Sequence, residues 1–384
     1  MPKRVLFCAT VDIHLKVFHL PYLKWFKEQG WEVHVAASGD MKLPYVDKKI
    51  NIPIKRSPLS SKNIQAYHEL KMMMEKNQYQ IIHCHTPMGG VLTRIAARKA
   101  RKQGAKVIYT AHGFHFCKGA PFINWALYYP IEKFLARYTD CLITINEEDF
   151  QLARSHHFKA GLISHVHGVG VDTDCYFPVG PLDKFVLRVE HGFNEEDFLM
   201  FYAAEFNKNK NQPFLIKSVA MVKDEIPNAK LLLAGEGPML EECRKLASNL
   251  GVDRIVHFLG YRNDVDELLK MSDIAVASSY REGLPVNVME AMASVLPVIA
   301  SDNRGHRELI ENGKNGWLIH LNDTEEMSEK LKILAKDEEL RNKFGITSRK
   351  IIQEKYSIDK VLSENRNLYS LFTEEREDLG WAVH

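Results

Sequence analysis

The chain of 384 residues, 45% hydrophobic and 26% charged, is too long for one ordinary core and rich enough in apolar residues to fill two, which excludes a disordered or fibrous protein. Its formal net charge of +2 conceals an asymmetry: residues 1–160 carry 24 Lys and Arg against 12 Asp and Glu, and the remainder carry 27 against 37, so a basic first part precedes an acidic second. The six cysteines (Cys8, Cys84, Cys117, Cys141, Cys175, Cys243) form no Cys-x-x-Cys pair and no run of about eighteen apolar residues occurs, which argues against a disulfide framework, a cysteine zinc site and a membrane-spanning helix.

After Lys3 and Arg4 the apolar run VLFCATV stops at Asp12, too short for the core of a signal peptide, so a cytoplasmic chain is expected. The runs KRVLFCAT, WEVHVAAS, YQIIHCHT, AKVIYTAH and DCLITIN read as β strands bounded by polar or turn residues. Between them YLKWFKEQG, VLTRIAARKARKQG and INWALYYPIEKFLARY have helical spacing. The stretch GVGVDTDCYFPVGPLD, residues 168–183, crowds Gly, Asp and Pro into a linker. The alternation then restarts with FLMFYAAE, AKLLLAG, RIVHFLG, DIAVASS and LPVIASD. This order predicts an α/β chain of two doubly wound, Rossmann-like parallel-sheet domains, over 1–170 and 183–355, facing across a cleft. The acidic segment 356–384 shows no further strand and is expected to be a closing helix that packs back towards the first domain.

In open parallel sheets, ligands sit at the carboxyl ends of strands, where helix N-termini offer free N–H groups to anions. KLLLAGEGPML places Gly235 and Gly237 after a strand, but Leu240 holds the third glycine position, which weakens a dinucleotide reading. The glycines still suit a tight turn beside a ligand. In SSYREGLPVNVMEAMA a Gly-Leu-Pro turn separates Glu282 from Glu290; a continuous helix would put these carboxylates about 12 Å apart. A hydrolase needs its pair about 5 to 9.5 Å apart across one bond. Spaced carboxylates suit the two polyol ends of a nucleotide sugar, with the helix N-terminus between them for phosphate. Each carboxylate also fits an ordinary surface role, as Lys210 in NKNKNQ fits a solvated lysine and His112 a hydrogen-bonded histidine at a strand end. His83 and His85 in HCH face one side of a strand with no third ligand nearby in sequence, and Asp172 and Asp174 spell Asp-x-Asp inside the linker.

The blocks LAGEGPMLEECRKLA, HFLGYRNDVDELLKMSDIAVASSYREGLPVNVMEAMA and LPVIASDNRGHRELIENGKNGWLI resemble the C-terminal domain of family 4 retaining glycosyltransferases of the GT-B fold, E-x7-E motif included. DIHLKVFHLPYLKWFKEQG and YTAHGFHFCKGAPFINWALYYPIEKFLARYTDCLITIN resemble bacterial exopolysaccharide and capsule members most closely. The resemblance implies transfer of a hexose or N-acetylhexosamine from a nucleotide sugar, with UDP the expected nucleotide, to a polyprenyl-diphosphate-linked saccharide. It implies no bound metal; no cofactor and no nucleic-acid partner are expected, and the basic first part sets the expectation of a peripheral enzyme at the inner face of the cytoplasmic membrane. By position, Glu282 would accept from donor-sugar hydroxyls, Gly283 and Leu284 would meet the sugar or diphosphate through their N–H groups, and Glu290 would bind the ribose. Lys210, with Lys208, would compensate the leaving diphosphate, Arg262 and Gly237 would line the nucleotide, and His112 would stand near the reacting sugar. Glu205 occupies a position where the family has Arg, leaving the diphosphate to Lys208, Lys210 or Arg281, and Val295 replaces a glycine before Leu-Pro. The same fold also serves UDP-sugar epimerases and could serve a noncatalytic sugar-nucleotide-binding subunit.

The basic first part also suits an anionic surface. Phe18, Tyr22, Trp25 and Phe26 beside Lys24 and Lys27, and Phe114, Phe116, Phe122, Trp125, Tyr128 and Tyr129 near Lys118, fit either a membrane interface or core packing.

Overall fold

The computed structural model describes residues 2–373. Contacts divide the chain into two compact units, the first running to Val169 and resuming at Val361, the second from Gly170 to Lys360. The first unit holds β1 (Arg4–Val11), β2 (Glu32–Ser38), β3 (Lys48–Asn51), β4 (Ile81–His85), β5 (Lys106–Ala111), β6 (Cys141–Thr144) and β7 (Leu162–His165). The second holds β8 (Phe198–Ala203), β9 (Ala229–Ala234), β10 (Val256–Gly260), β11 (Ile274–Ala277), β12 (Val298–Ser301) and β13 (Gly316–Ile319). The sheets run β3-β2-β1-β4-β5-β6-β7 and β10-β9-β8-β11-β12-β13, and the pairs within them are parallel. Each is the doubly wound order, with the direction of winding reversing between β1 and β4 in one sheet and between β8 and β11 in the other.

Both faces of such a sheet are covered by helices, so its strands must be apolar on both sides. β1 shows this: Leu6 and Cys8 enter one core with Ile82, Cys84 and Tyr109, and Val5 and Phe7 enter another with Val33, Val35 and Ile108. The helix Ile358–Thr373 adds Val361 and Tyr369 to this second core, so the chain returns to the first unit after completing the second. Residues 374–384 of the expected terminal helix lie outside the described residues. The linker stretch is not a free tether. Val171 donates its N–H to Tyr356 and accepts from Ile358, joining the entry of the second unit to its exit.

The aromatic residues divide in a way helical spacing alone does not reveal. Tyr22, Phe26, Phe114 and Phe116 are core residues, the core-packing alternative, and Trp25, Trp125, Tyr128 and Tyr129 are partly buried against the cores. Phe122 alone of that set stands clear, 85% exposed, and the helix Phe122–Ala136 continues its apolar surface through Ile123, Leu127, Ile131 and Phe134. Among the described residues no helix is long and apolar enough to cross a membrane.

Val295, at the end of the helix Val286–Ala293, has φ of +64°, a left-handed conformation that a β-branched residue adopts only at a cost. That backbone accounts for the glycine seen there in the resembling family. Val295 is held against Gly345, where an added Cβ would lie 2.0 Å from the Val295 carbonyl oxygen.

Candidate functional site

The winding reversal in the second sheet brings the loops after β8 and β11 side by side. The Lys210 carbonyl accepts from the Ser278 hydroxyl at 2.6 Å, and the Tyr280 N–H donates to the Asn209 carbonyl at 2.8 Å. Asn209 also donates through Nδ2 to the Arg281 carbonyl at 2.9 Å. These bonds set Lys210 Nζ 2.6 Å from Glu282 Oε1, both side chains largely buried. Burial alone would push the Lys210 ammonium down, but Glu282, aided by Tyr202 and Glu205, holds it above the ordinary lysine range. Glu282 is not the exposed turn residue its sequence position also allowed.

The loop after β12 fixes Glu282 from behind. Arg304 Nε donates to the Glu282 carbonyl at 3.0 Å, and Ser301 and Asn303 donate to the Ser279 carbonyl at 2.6 and 2.9 Å. Gly305 lies so close that a Cβ there would stand 2.7 Å from Glu282 Cβ. Ser278, Ser301, Asn303, Arg304 and Gly305 therefore support the site, and sequence reasoning passed over them. Their available signal was position, since Ser278 and Ser301 lie at the carboxyl ends of predicted strands and Asn303, Arg304 and Gly305 in the stretch just after one.

Glu290 lies on the helix Val286–Ala293, whose first turn is tied to the end of β8 by Asn287 Nδ2 donating to the Ala203 carbonyl at 2.9 Å. Burial pushes the Glu290 carboxyl up to about 7, and a hydrogen bond from the Tyr176 hydroxyl opposes part of that rise. Tyr176, from the linker stretch, is a second residue the sequence did not single out. Gly283 and Leu284 form the turn between the two carboxylates, the Leu284 side chain buried.

The other expected residues differ in what engages them. Lys208 is exposed beside Lys210. Arg262 Nε donates to Asp264 Oδ1 at 2.7 Å and its Nη2 to Asp264 Oδ2, so a ligand would have to compete with Asp264 for this guanidinium. Gly237 has φ of +149°, and a Cβ there would lie 2.4 Å from the Phe206 carbonyl oxygen, so this turn packs directly on the loop that carries Lys208 and Lys210. Glu205 is exposed and accepts from Asn207 Nδ2 at 2.9 Å.

His112 belongs to the first unit, just after β5. Around it the winding reversal between β1 and β4 gathers His14, His19 and His85. His112 Nε2 lies 3.3 Å from His85 Nδ1, and His14 Nε2 lies 3.2 Å from His19 Nε2. Burial keeps all four imidazoles neutral, pushing His14 down to about 4 and the others well below the usual histidine range. The HCH pair divides its tasks. His83 is satisfied by the Tyr369 hydroxyl at 2.7 Å and the Thr110 hydroxyl at 2.8 Å, whereas His85 turns to the cluster. Thr86, next in the chain, has φ of +63°, and its Oγ1 accepts from the Thr10 N–H at 2.9 Å. A β-branched residue in that region is strained, and the surrounding bonds hold it there.

Beside this reversal the first unit opens a cavity of about 1340 Å³, lined mainly by apolar side chains such as Val17, Ile64, Val91, Ile95, Leu127 and Ile131. His14, Arg56 and His115 stand among them as polar groups. Leu59 and Ile64 on its lining are 94% and 65% exposed, so the apolar surface continues out to solvent.

Two family models match the chain, one described as glycosyl transferases group 1 over residues 183–351 and one as glycosyl transferase 4-like over residues 4–146. The chain is 51% identical over 372 residues to the putative glycosyltransferase EpsD of Bacillus subtilis (strain 168), covering 97% of each. It is 27% identical over 314 residues to the UDP-Gal:alpha-D-GlcNAc-diphosphoundecaprenol alpha-1,3-galactosyltransferase of Escherichia coli, covering 80% of this chain and 79% of that one. Among solved structures, HepE of Anabaena in complex with UDP and glucose matches with a TM-score of 0.79 at 18% identity, over 96% of this chain and all of that one, a likeness of fold.

Proposed function

The chain belongs to the group 1 glycosyl transferases, and from that premise we propose that it moves a hexose or N-acetylhexosamine from a UDP-sugar to a polyprenyl-diphosphate-linked saccharide with retention, in exopolysaccharide or capsule synthesis. The observation that carries the reading is the Lys210–Glu282 pair at the winding reversal of the second sheet. As the bond from the sugar's anomeric carbon to the diphosphate oxygen breaks, negative charge grows on the departing nucleotide. A fixed ammonium stabilises that growth more than the ground state. Glu282 accepts from sugar hydroxyls while its ion pair keeps Lys210 oriented, and Glu290 accepts from the ribose. His112 hydrogen-bonds the reacting sugar as a neutral imidazole. The acceptor oxygen attacks the face the diphosphate leaves, and the departing phosphate oxygen takes the acceptor's proton. The E. coli relative's name gives both a UDP-sugar donor and a diphosphoundecaprenol acceptor, and the HepE complex holds UDP.

The apolar cavity supports a lipid acceptor and gives peripheral membrane association its basis. A polyprenyl chain would lie along Val17, Ile64 and Leu127, and the exposed row from Phe122 to Phe134 would meet the bilayer surface, assisted by the basic first part. The test compares one saccharide diphosphate with and without a polyprenyl chain as acceptor, alongside flotation with anionic and neutral liposomes. We expect the lipid to lower the acceptor KM by about tenfold or more, since each buried CH2 contributes about 0.8 kcal/mol. Binding should favour anionic vesicles and weaken with salt. Equal KM values and no flotation in any condition would remove the lipid from the reading.

A further inference from the structure

His14, His19, His85 and His112 come from the helix Asp12–Phe18, the residue that follows it, the end of β4 and the residue after β5. One nitrogen of each lies within 4.8 Å of those of the other three. Four nitrogens bound tetrahedrally to zinc at about 2.0–2.1 Å would lie about 3.3 Å from one another. Two of the observed contacts, at 3.2 and 3.3 Å, already have that spacing. The widest allowed separation exceeds it by about 1.5 Å, within reach of ring rotation at half-buried His14 and His112. Two further nitrogens, His19 Nδ1 and His85 Nε2, are buried without a hydrogen-bond partner. Each is the far nitrogen of a ring whose near nitrogen makes one of the 3.2 and 3.3 Å contacts, so no bond on the far side ties either ring down as it turns its near nitrogen onto an ion. The neighbouring His83 is fully partnered by Tyr369 and Thr110.

We propose that these four histidines form a binding site for one divalent transition-metal ion of the zinc class, and that the bound ion withdraws His112 from the transfer reaction. Imidazole nitrogen is a borderline ligand that suits zinc, cobalt, nickel and copper and discriminates against magnesium and calcium. A neutral imidazole has one in-plane lone pair, so coordination leaves His112 only an N–H and it can no longer accept from a sugar hydroxyl; the ion therefore inhibits. That inhibition rests on the role of His112 given above, whereas the binding itself does not.

Binding is measured on the full chain, without donor or acceptor, by titrating Co²⁺ and following the d–d absorption of a tetrahedral nitrogen site, then displacing it with Zn²⁺. One equivalent is expected. His14→Gln and His112→Gln, both at half-buried positions, should each weaken it about tenfold or more. His191→Ala should leave it unchanged; this variant removes the histidine of the other group able to hold an ion among the described residues, His191 with Asp264 and Glu267. Zn²⁺ should inhibit transfer, EDTA should restore it, and the inhibiting concentration should rise about tenfold or more in His14→Gln. No stoichiometric binding, or binding that follows His191 and ignores His14, overturns the site. Binding without inhibition overturns the withdrawal of His112 and leaves the site standing.

Discussion

Glu282→Ala is expected to lower kcat/KM about 100-fold or more while the fold survives. The carboxylate makes charge-assisted contacts, each typically worth about 1.5 to 3 kcal/mol, and the substitution loses one to the sugar hydroxyls. It also releases Lys210 from its 2.6 Å partner, so the ammonium loses the orientation needed for the leaving diphosphate. Glu282→Gln separates these effects, because the amide still reaches a hydroxyl but pairs poorly with the cation. We expect it to recover part of the lost binding and little of the lost kcat. Gly305→Ala approaches the same residue without removing any functional group. Its Cβ would press on Glu282 at 2.7 Å, so activity should fall while Glu282 remains present. Steady-state kinetics with circular dichroism as a folding control checks all three, and near-wild-type turnover in Glu282→Ala would refute the assignment.

The second large effect is on pH dependence. Glu290 titrates near 7 in the folded protein instead of near 4.5, because burial penalises its charge. A ribose hydroxyl donates best to the ionised carboxylate, so the donor KM should fall about tenfold between pH 6 and 8. Glu290→Gln should flatten the profile at a uniformly weak KM. Tyr176→Phe removes the bond that opposes the rise and should move the profile to higher pH. Stability moves the opposite way. Between about 4.5 and 7 the folded state keeps a proton that the unfolded state has lost, so stability falls as pH rises through that window. The loss is on the order of 3 kcal/mol. Denaturant unfolding of wild type and Glu290→Gln from pH 4 to 8 reads this directly, and parallel curves would show that Glu290 titrates normally.

The central strands were legible because strands buried on both faces need unbroken apolar runs, as in VLFCAT and LLLA. The unforeseen β3, β7 and β13 all sit at sheet edges, where one side lacks a neighbour and a strand can be short and half-exposed, as in KKIN and LISH. At the site, Glu282, Glu290 and Lys210 were visible from local pattern and family resemblance. Their partners were not. Lys210 meets Glu282 because crossover connections bring strand ends together, and Tyr176 meets Glu290 because Arg349 ties the linker stretch to the end of the helix Val286–Ala293; no local spacing encodes either. HCH was read as a pair lacking a third ligand. The winding reversal supplies His14, His19 and His112 from distant positions. Aromatic rings at helical spacing could not be sorted into core and surface until the covering helices were in place, and then only Phe122 stood fully clear.

The most direct test of the account follows nucleoside diphosphate release and donor-sugar configuration from an α-linked UDP-sugar, with and without a polyprenyl-diphosphate-linked saccharide. We expect UDP release only when the acceptor is present, one new glycosidic bond per UDP, and an α-linked product. Conversion of the sugar without acceptor would mark an epimerase, binding with no release would mark a noncatalytic subunit, and a β-linked product would contradict transfer from the face the diphosphate leaves.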